Sequence, residues 1–537
     1  MNRKSWLTLA LFSLVTSSAT AGGLFLPGAG AVSTSRAGAG TVSSDDGEAL
    51  ALNPANLAKA KGTVITLSAA VISYAMKFTR SGSYDVQQDP AAKEPFDGKP
   101  YGAVTNAAKP KLGFGSFQPV PVIAVVSDLG GKVPGLHAAI GIYAPNAYPF
   151  RSMDQGYQFN SDFAKPPPPT RYDILQQDAA VLLPSIAVAY SVSPKLDVGA
   201  RFSAGLATLK STTTIWTTTN FSEDVTRDGQ ITIDAKDNFV PVFGLGATFR
   251  PTPEIEVAAN YTSQANIIAT GTASSNNGHG LQIGGQEPLI GPAVAPICKP
   301  TGDQGNFDHQ NACVDLALPM NAQIGGRYKF LDRDGKERAD IELDLDWEHW
   351  AADRVSNYKV VVDATAYIMV NGMPSPALDL KPSFIHHGLQ DTYGVRLGGH
   401  YSIPLDAQRG DELVLRGGLA YDTRAATEGW LRADIDGASR TTLTVGAGYK
   451  MKKWEFNAGG GVILEGTQTN PGTCNPSGTV GALGCDGTGL ETPVDQRHGV
   501  DPTNPAINDN VQAQSPVNQG KIESHYVMFM VGATARF

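Results

Sequence analysis

From Ile341 to Glu348 the chain reads Ile-Glu-Leu-Asp-Leu-Asp-Trp-Glu, apolar at every odd position and acidic at every even one. A period of two belongs to a β-strand whose faces meet different surroundings. The same alternation recurs at Glu254-Ile255-Glu256-Val257. It recurs where Ala322, Ile324, Tyr328 and Phe330 interleave with Gln323, Arg327 and Lys329, and where Leu413, Leu415, Leu419 and Tyr421 interleave with Arg416 and Asp422. Leu443, Val445, Ala447 and Tyr449 against Thr442, Thr444 and Lys450 repeat it once more. A soluble antiparallel sheet with one wet face would show this pattern too, so the connections have to decide.

Fourteen strands are predicted, at about 63–79, 113–128, 135–148, 178–193, 196–217, 230–250, 254–272, 318–331, 338–363, 386–404, 411–424, 438–451, 453–465 and 521–537. Their links alternate. Short turns such as Ser193-Pro194, Arg250–Pro253, Asp332–Gly335, Pro404–Asp406 and Met451-Lys452 separate long stretches at about 80–112, 149–177, 273–317, 364–385 and 466–520. Tight turns on one side and long loops on the other are the habit of outer-membrane barrels; a soluble sandwich does not sort its loops in this way. Strands running into the short turns carry Tyr190, Phe249, Tyr328 with Phe330, Tyr401 or Tyr449 near that end, as an interfacial aromatic girdle requires. The strand near Val126 lacks one. The last strand puts Phe529, Val531, Ala533 and Ala535 on one face, Met530, Thr534 and Arg536 on the other, and stops at Phe537. The expected fold is all-β: a 14-stranded antiparallel transmembrane β-barrel over residues 62–537, closed because lipid cannot satisfy an open edge. Membrane lipid is the expected partner of its outer face, and the barrel-assembly machinery that of the terminal Phe537. Such a barrel is wider than its own side chains fill. Residues 22–61, rich in Gly, Ala and Ser, are the candidate plug for its lumen.

The first residues change the compartment. Arg3 and Lys4 precede an apolar run from Trp6 to Val15, then Ser18-Ala19-Thr20-Ala21. This is a signal peptide over residues 1–21, cleaved near Ala21, with an apolar core too short to span a bilayer. Its loss would take the net charge from −9 to −11. Only 17% of residues are charged and no basic run occurs, which excludes nucleic acid as a partner. Cys298/Cys313 and Cys474/Cys485 form two local pairs in Gly/Pro-rich stretches. In an oxidising compartment these read as loop-stapling disulfides, since zinc spacing and supporting ligands are missing. No cofactor or metal is expected. His349, His400 and His525 are scattered, no nucleophile elbow is present, and Asp224–Gly229 and Asp332–Gly335 read as turns, not calcium loops. An enzyme is not expected.

The stretch Ser35–Ala55, with Arg36-Ala37, an Asp45-Asp46 pair and Asn53-Pro54-Ala55, resembles the N-terminal hatch of the long-chain fatty acid transporter (FadL/TodX) family. Gly244–Pro253, Leu318–Met320, Asp344–Trp347, Gln390–Gly398, Leu415–Asp422 and Gly446–Tyr449 resemble that family's strands in the same order; Glu348 stands where Ser or Thr is usual. The resemblance implies a channel of the Gram-negative outer membrane for passive uptake of a hydrophobic small-molecule ligand, a long-chain fatty acid or an aromatic hydrocarbon. It further implies a groove among the external loops, a lumen pocket, a hatch shift, and sideways exit beside a kinked third strand. Here that strand is Gly135–Tyr148, with Gly141 and Pro145 as break points and Asn53, Pro54 and Ala55 beside the gap. By alternation Arg201, Arg327, Arg396 and Arg416 point inward, either to meet a carboxylate ligand or to form salt ladders with Glu342, Asp344, Asp346, Glu348 and Asp422. Phe202, Tyr526, Met528 and Met530 are further pocket candidates. A general porin for polar solutes and a surface-binding barrel are the alternative functions.

Overall fold

The computed structural model describes residues 23–84, 86, 93–158, 165–215, 225, 228–277, 312–362, 365–366, 369–370, 373–374, 378–379, 383–406, 409–427, 431–435, 437–470 and 520–537. The residues of the expected signal peptide, Cys298, Cys474 and Cys485 lie outside them.

Fourteen antiparallel staves close a barrel. The first six are β1 (Thr63–Arg80), β2 (Gln118–Ser127), β3 (Leu136–Tyr143), β4 (Gln176–Ser193), β5 (Leu196–Ile215) and β6 (Gly229–Phe249). Four broken staves follow: β7 (Ile255–Thr262, then Ala265–Asn277), β8 (Ala312–Leu318, then Asn321–Leu331), β9 (Glu337–Glu348, then Asn357–Val362) and β10 (Ser383–His386, then Thr392–Asp406). The last are β11 (Asp411–Asp422), β12 (Arg440–Lys450), β13 (Trp454–Glu465, then Gln468–Asn470) and β14 (Gly520–Arg536). Closure is made by β1 on β14, from Val64 opposite Arg536 to Arg80 opposite Gly520.

Alternation sets the two faces. On β9, Ile341, Leu343 and Leu345 stand half exposed on the outside while Asp340, Glu342, Asp344 and Asp346 are buried inside. Ile186, Leu245, Val395, Leu415, Val445 and Val531 continue the apolar belt. Exposed Tyr190, Phe249, Tyr328, Tyr401, Tyr449 and Trp454 ring its lower rim, and Tyr261, Tyr393 and Tyr421 its upper one. Leu343→Arg, which puts a charge at mid-belt, should destabilise the barrel by about 2–4 kcal/mol in refolding titrations into lipid vesicles.

Two departures from the sequence expectation concern strand ends. The staves β7, β8 and β10 reach beyond the expected limits, β9 keeps to them, and the four break at Ser263-Gln264, Pro319-Met320, His349–Ser356 and His387–Asp391. Pairing nevertheless continues past each break, so the wall stands taller than its hydrophobic belt. The third strand is the opposite case. It stops at Tyr143, five residues early, and Gly141 does not break it: Gly141 pairs with Ala124 on one side and Ser185 on the other.

Residues 23–61 lie within the barrel as a hatch of short turns, Thr34–Arg36, Ala49–Leu52 and Pro54–Lys59. Inward-facing glycines seat it. A Cβ at Gly418 would stand 2.2 Å from the Arg36 carbonyl carbon, and one at Gly199 2.4 Å from that of Pro54. Backbone therefore meets backbone where any side chain would hold the hatch off.

Candidate functional site

The wall has a gap where β3 ends. β2 pairs with β3 only from Val122 to Ser127; beyond one bond from Ala144 N to Pro121 O at 3.2 Å, its Gln118–Pro121 has ladder pairing with β1 alone among the described residues. β4 pairs with β3 from Leu183 to Tyr190, and again with Phe150–Ser152 at Gln176–Asp178. Between these, Ala179–Leu182 has a neighbour only on β5. The missing chain, Ala144–Pro149, turns inward: Asn146 O accepts from Leu26 N at 2.6 Å, Asn146 Nδ2 donates to Pro27 O at 2.9 Å, and Ala147 bridges to Phe25. The start of the hatch is thus bonded to the segment that vacates the wall. Proline makes the opening tolerable. Pro119, Pro121, Pro145 and Pro149 lie along it, and a residue without an N–H leaves no orphan donor facing hydrocarbon. Pro145 therefore sits at the break itself.

A cavity of about 510 Å³ opens at this gap and runs up the inner wall beneath the external loops. Aliphatic side chains dominate its lining, among them Val181, Ala207, Ile231, Ile267, Val314 and Val360. Leu52 of the hatch packs with Val122, Tyr143, Leu183 and Ala207 at its lower end.

The hatch is clamped by charge as well as by shape. Arg36, fully buried, reaches Asp340 Oδ1 with Nη1 and Glu342 Oε2 with Nη2, both at 2.8 Å. Glu48 accepts from the backbone N–H of Ala31, Val32 and Ser33 at 2.7–2.9 Å, and from Ser68 Oγ of β1 at 2.9 Å. The four candidate arginines all point inward, and each is engaged. Arg201 Nη1 donates to Leu50 O and Ala51 O, capping the hatch turn at 2.7 and 2.9 Å. Arg327 pairs with Asp340 at 2.6 Å, and with Glu256 and Glu337. Arg396 holds Asp346 at 2.7 Å, and Arg416 holds Glu455 at 2.6 Å. None of the four lines the cavity: Arg327, Arg396 and Arg416 are held by wall carboxylates, and Arg201 by hatch carbonyls. The neighbouring Glu337, Asp340 and His400 could in principle meet one cation. The Arg36 and Arg327 guanidiniums already occupy the two carboxylates.

Of the other candidates, Tyr526, Met528 and Met530 are buried on the inner face of β14. Tyr526 stacks on Tyr74 with ring centroids 4.3 Å apart. Phe202 is a correction. Arg201 faces inward, so its neighbour must face out, and Phe202 packs on the exposed Phe243 of the lipid face at 5.3 Å. Asn53 is also placed differently from expectation. Its Nδ2 donates to Thr41 O and its Oδ1 accepts from Ala55 N, and the Asn53-Pro54-Ala55 turn seats against Gly199 and Gly246 on β5 and β6. Leu50 of the hatch lies beside Gly141 on β3. Gly199, Gly246 and Gly418, and the gap-edge Pro119, Pro121 and Pro149, are sites that the sequence reading missed, since a Gly or Pro in a strand signals weakness before it signals a seat or an edge. Cys313, at the start of β8, is disulfide-bonded.

Asp46 gives the clamp a pH dependence. Burial, with Glu48 and Asp45 nearby, pushes its carboxyl up to about 7 from an ordinary value of 3.8. A seated hatch then holds a proton that a displaced, solvated hatch would release. The resulting stabilisation is complete below pH 4 and fades as pH rises through about 7. Channel open probability in planar bilayers should rise between pH 5 and pH 7.5, by up to about tenfold per unit. Asp46→Asn should flatten the profile.

A closed, lipid-facing barrel with a folded plug and a side opening is a plugged outer-membrane channel. Residues 12–456 match the outer membrane protein transport protein family (OMPP1/FadL/TodX), and the chain belongs to that family. It is therefore a transport protein of the Gram-negative outer membrane, not an enzyme. The fold is shared with a FadL homologue of Pseudomonas aeruginosa, at 14% identity and TM-score 0.64 over 96% of this chain and 100% of that one. The toluene transporter TbuX of Ralstonia pickettii aligns at 14% identity and TM-score 0.55, over 95% and 99% of the two chains. The CymD monoaromatic hydrocarbon channel aligns at 13% identity and TM-score 0.51, over 95% and 98%. No curated protein matches the sequence.

Proposed function

We propose that the chain conducts hydrophobic compounds from the external loops into the apolar cavity and releases them sideways into the membrane through the gap beside β3. The observation that carries this reading is the continuity of the cavity with the gap: Pro119, Pro121, Ala144, Pro145 and Ala180 line both. A ligand on this path stays out of water, which keeps about 0.8 kcal/mol of favourable transfer for each buried CH₂. The cavity falls within the roughly 300–1,000 Å³ of small-molecule sites. The hatch supplies the gate. Its Phe25–Pro27 segment is bonded to Asn146 and Ala147, so movement of one pulls on the other. Solved neighbours include channels described as toluene and monoaromatic hydrocarbon transporters, which agrees with a ligand of this kind. Cells carrying the gene should take up labelled toluene or labelled oleate faster than cells lacking it. Equal uptake of both compounds with and without the gene would overturn the reading.

A further inference from the structure

The gap beside β3 is framed on every side, and one side is built more lightly than the rest. Below, Tyr143 pairs with Val122 and Leu183, so the sill is strand ladder. The uprights are Gln118–Pro121, paired with β1, and Ala179–Leu182, paired with β5. Above, Ala103–Thr105 pairs with β1 and Phe150–Ser152 with β4, and Ala107 N donates to Ser152 O at 2.9 Å. From this head a tight turn, Pro110–Phe117, leads into β2. Gly113 N donates to Pro110 O at 3.0 Å, Phe114 and Phe117 exchange backbone bonds at 3.0 and 3.1 Å, and Gly115 takes φ +63°. The turn straps the gap from edge to edge. Ser73 Oγ of β1 donates to Ser116 Oγ at 2.8 Å, while Lys111 Nζ lies 3.2 Å from Asp178 Oδ2 of β4. Tyr148, on the segment that turns inward, donates from its hydroxyl to Ser116 O at 2.7 Å. Phe117 packs on Phe529 of the lipid face at 5.5 Å, and Leu112, 84% exposed, lines the cavity.

We propose that this strap limits the size of compound that the side exit releases, so that the channel selects by cross-section. The inference rests on the transport reading above and deepens it. The four residues of each upright span about 13 Å along the strands, and the Lys111–Asp178 pair crosses at their upper end. A slim molecule passes beneath Leu112. A broad one must displace something, and the sides of the frame differ in how readily they give. Sill and uprights are ladders shared with the rest of the barrel, and lipid cannot replace their bonds. The strap is held across the gap by one exposed ion pair, which contributes little, and by two hydroxyl hydrogen bonds. It is the side that yields, and Tyr148 ties its position to the segment that the hatch start also holds.

The test compares toluene with pyrene, a neutral aromatic hydrocarbon whose fused rings make it broader. Both are supplied in labelled form to cells with and without the gene, and the gene-dependent rates are compared. The native protein should carry toluene at least tenfold faster than pyrene. Lys111→Met combined with Tyr148→Phe removes the ion pair and one hydroxyl but keeps an aromatic ring against Tyr74 and Phe150. This variant should raise the pyrene-to-toluene ratio at least threefold. Leu112→Trp, at a position too exposed for folding to depend on it, should cut the toluene rate at least threefold. Pyrene carried by the native protein as fast as toluene overturns the size limit while leaving the channel intact. An unchanged ratio in the first variant, or an unchanged toluene rate in the second, overturns it as well. Gene-independent uptake of toluene and pyrene alike also overturns it, and the transport reading falls with it only if labelled oleate enters equally with and without the gene.

Discussion

Replacing Arg36 with Ala should unseat the hatch and turn a closed barrel into a conducting one. Arg36 is the only hatch side chain that pairs with Asp340 and Glu342 together among the described residues, and both carboxylates are fully buried on β9. Without it Asp340 keeps Arg327 and His400, whereas among the described residues Glu342 keeps the backbone N–H groups of Val42 and Ser43 as its hydrogen-bond donors. Breaking a buried pair by removing one partner costs about 3–5 kcal/mol, because a charge is left behind without its counter-ion. That is a shift of about 10² to 10⁴ in the seated-to-displaced ratio. Single-channel recording in planar bilayers should show low conductance for the native protein and large, frequent openings for the variant. Arg36→Lys should fall between them: the charge remains, but the planar fork that reaches two carboxylates at once does not. Native-like conductance in Arg36→Ala would mean that the plug is held by shape alone.

The second large effect is expected in the cavity. Ala207 lines it and belongs to the buried apolar cluster that also holds Leu52 of the hatch and Tyr143 at the end of β3. Ala207→Trp should cut gene-dependent uptake of a hydrophobic probe at least tenfold. Overpacking of about 1–3 kcal/mol is small enough for the barrel to absorb, so the variant should keep the slow, heat-modifiable migration of a folded barrel on gels. Leu67→Trp is the matched control. Leu67 lies on the lipid face, where the larger side chain meets only membrane, and uptake should not change. Equal uptake by Ala207→Trp and the native protein would place the route elsewhere.

The sequence carried the barrel because two of its signals are cumulative. Alternation in rows such as Ile341–Glu348 fixes two unlike faces, and the sorting of short and long links fixes which end of each stave faces the periplasm. The plug was legible in its small residues, and its membership of a hatch in the motif from Arg36 to Ala55. What single positions do was harder to see. Arg201 and Phe202 both looked like lumen residues, yet neighbours on a strand cannot share a face, and the buried arginine took the inner one. Gly141 looked like a break, but its ladder continues on both sides, and the missing Cβ serves the approach of Leu50. Pro145 lies in the stretch that follows the end of β3, and a residue that cannot donate has no place in a continuing ladder. The cluster of charged loop residues at the external end of the cavity was out of reach from the chain alone. Asp173, His387, Arg432 and Asp434 come from three loops without periodicity, and only the folded chain brings them together.

The central claim is that a ligand leaves through the wall and not through the hatch into the periplasm. A hydrophobic diazirine probe, photolysed on the native protein in outer-membrane vesicles and mapped by mass spectrometry, tests it most directly. The account predicts adducts on cavity residues such as Ile231 and Val314 and on the gap edge at Leu112, Ala144 and Ala180. Adducts concentrated on the chamber below the hatch, at Ser43, Val133 and Lys59, with the gap edge unlabelled, would contradict it.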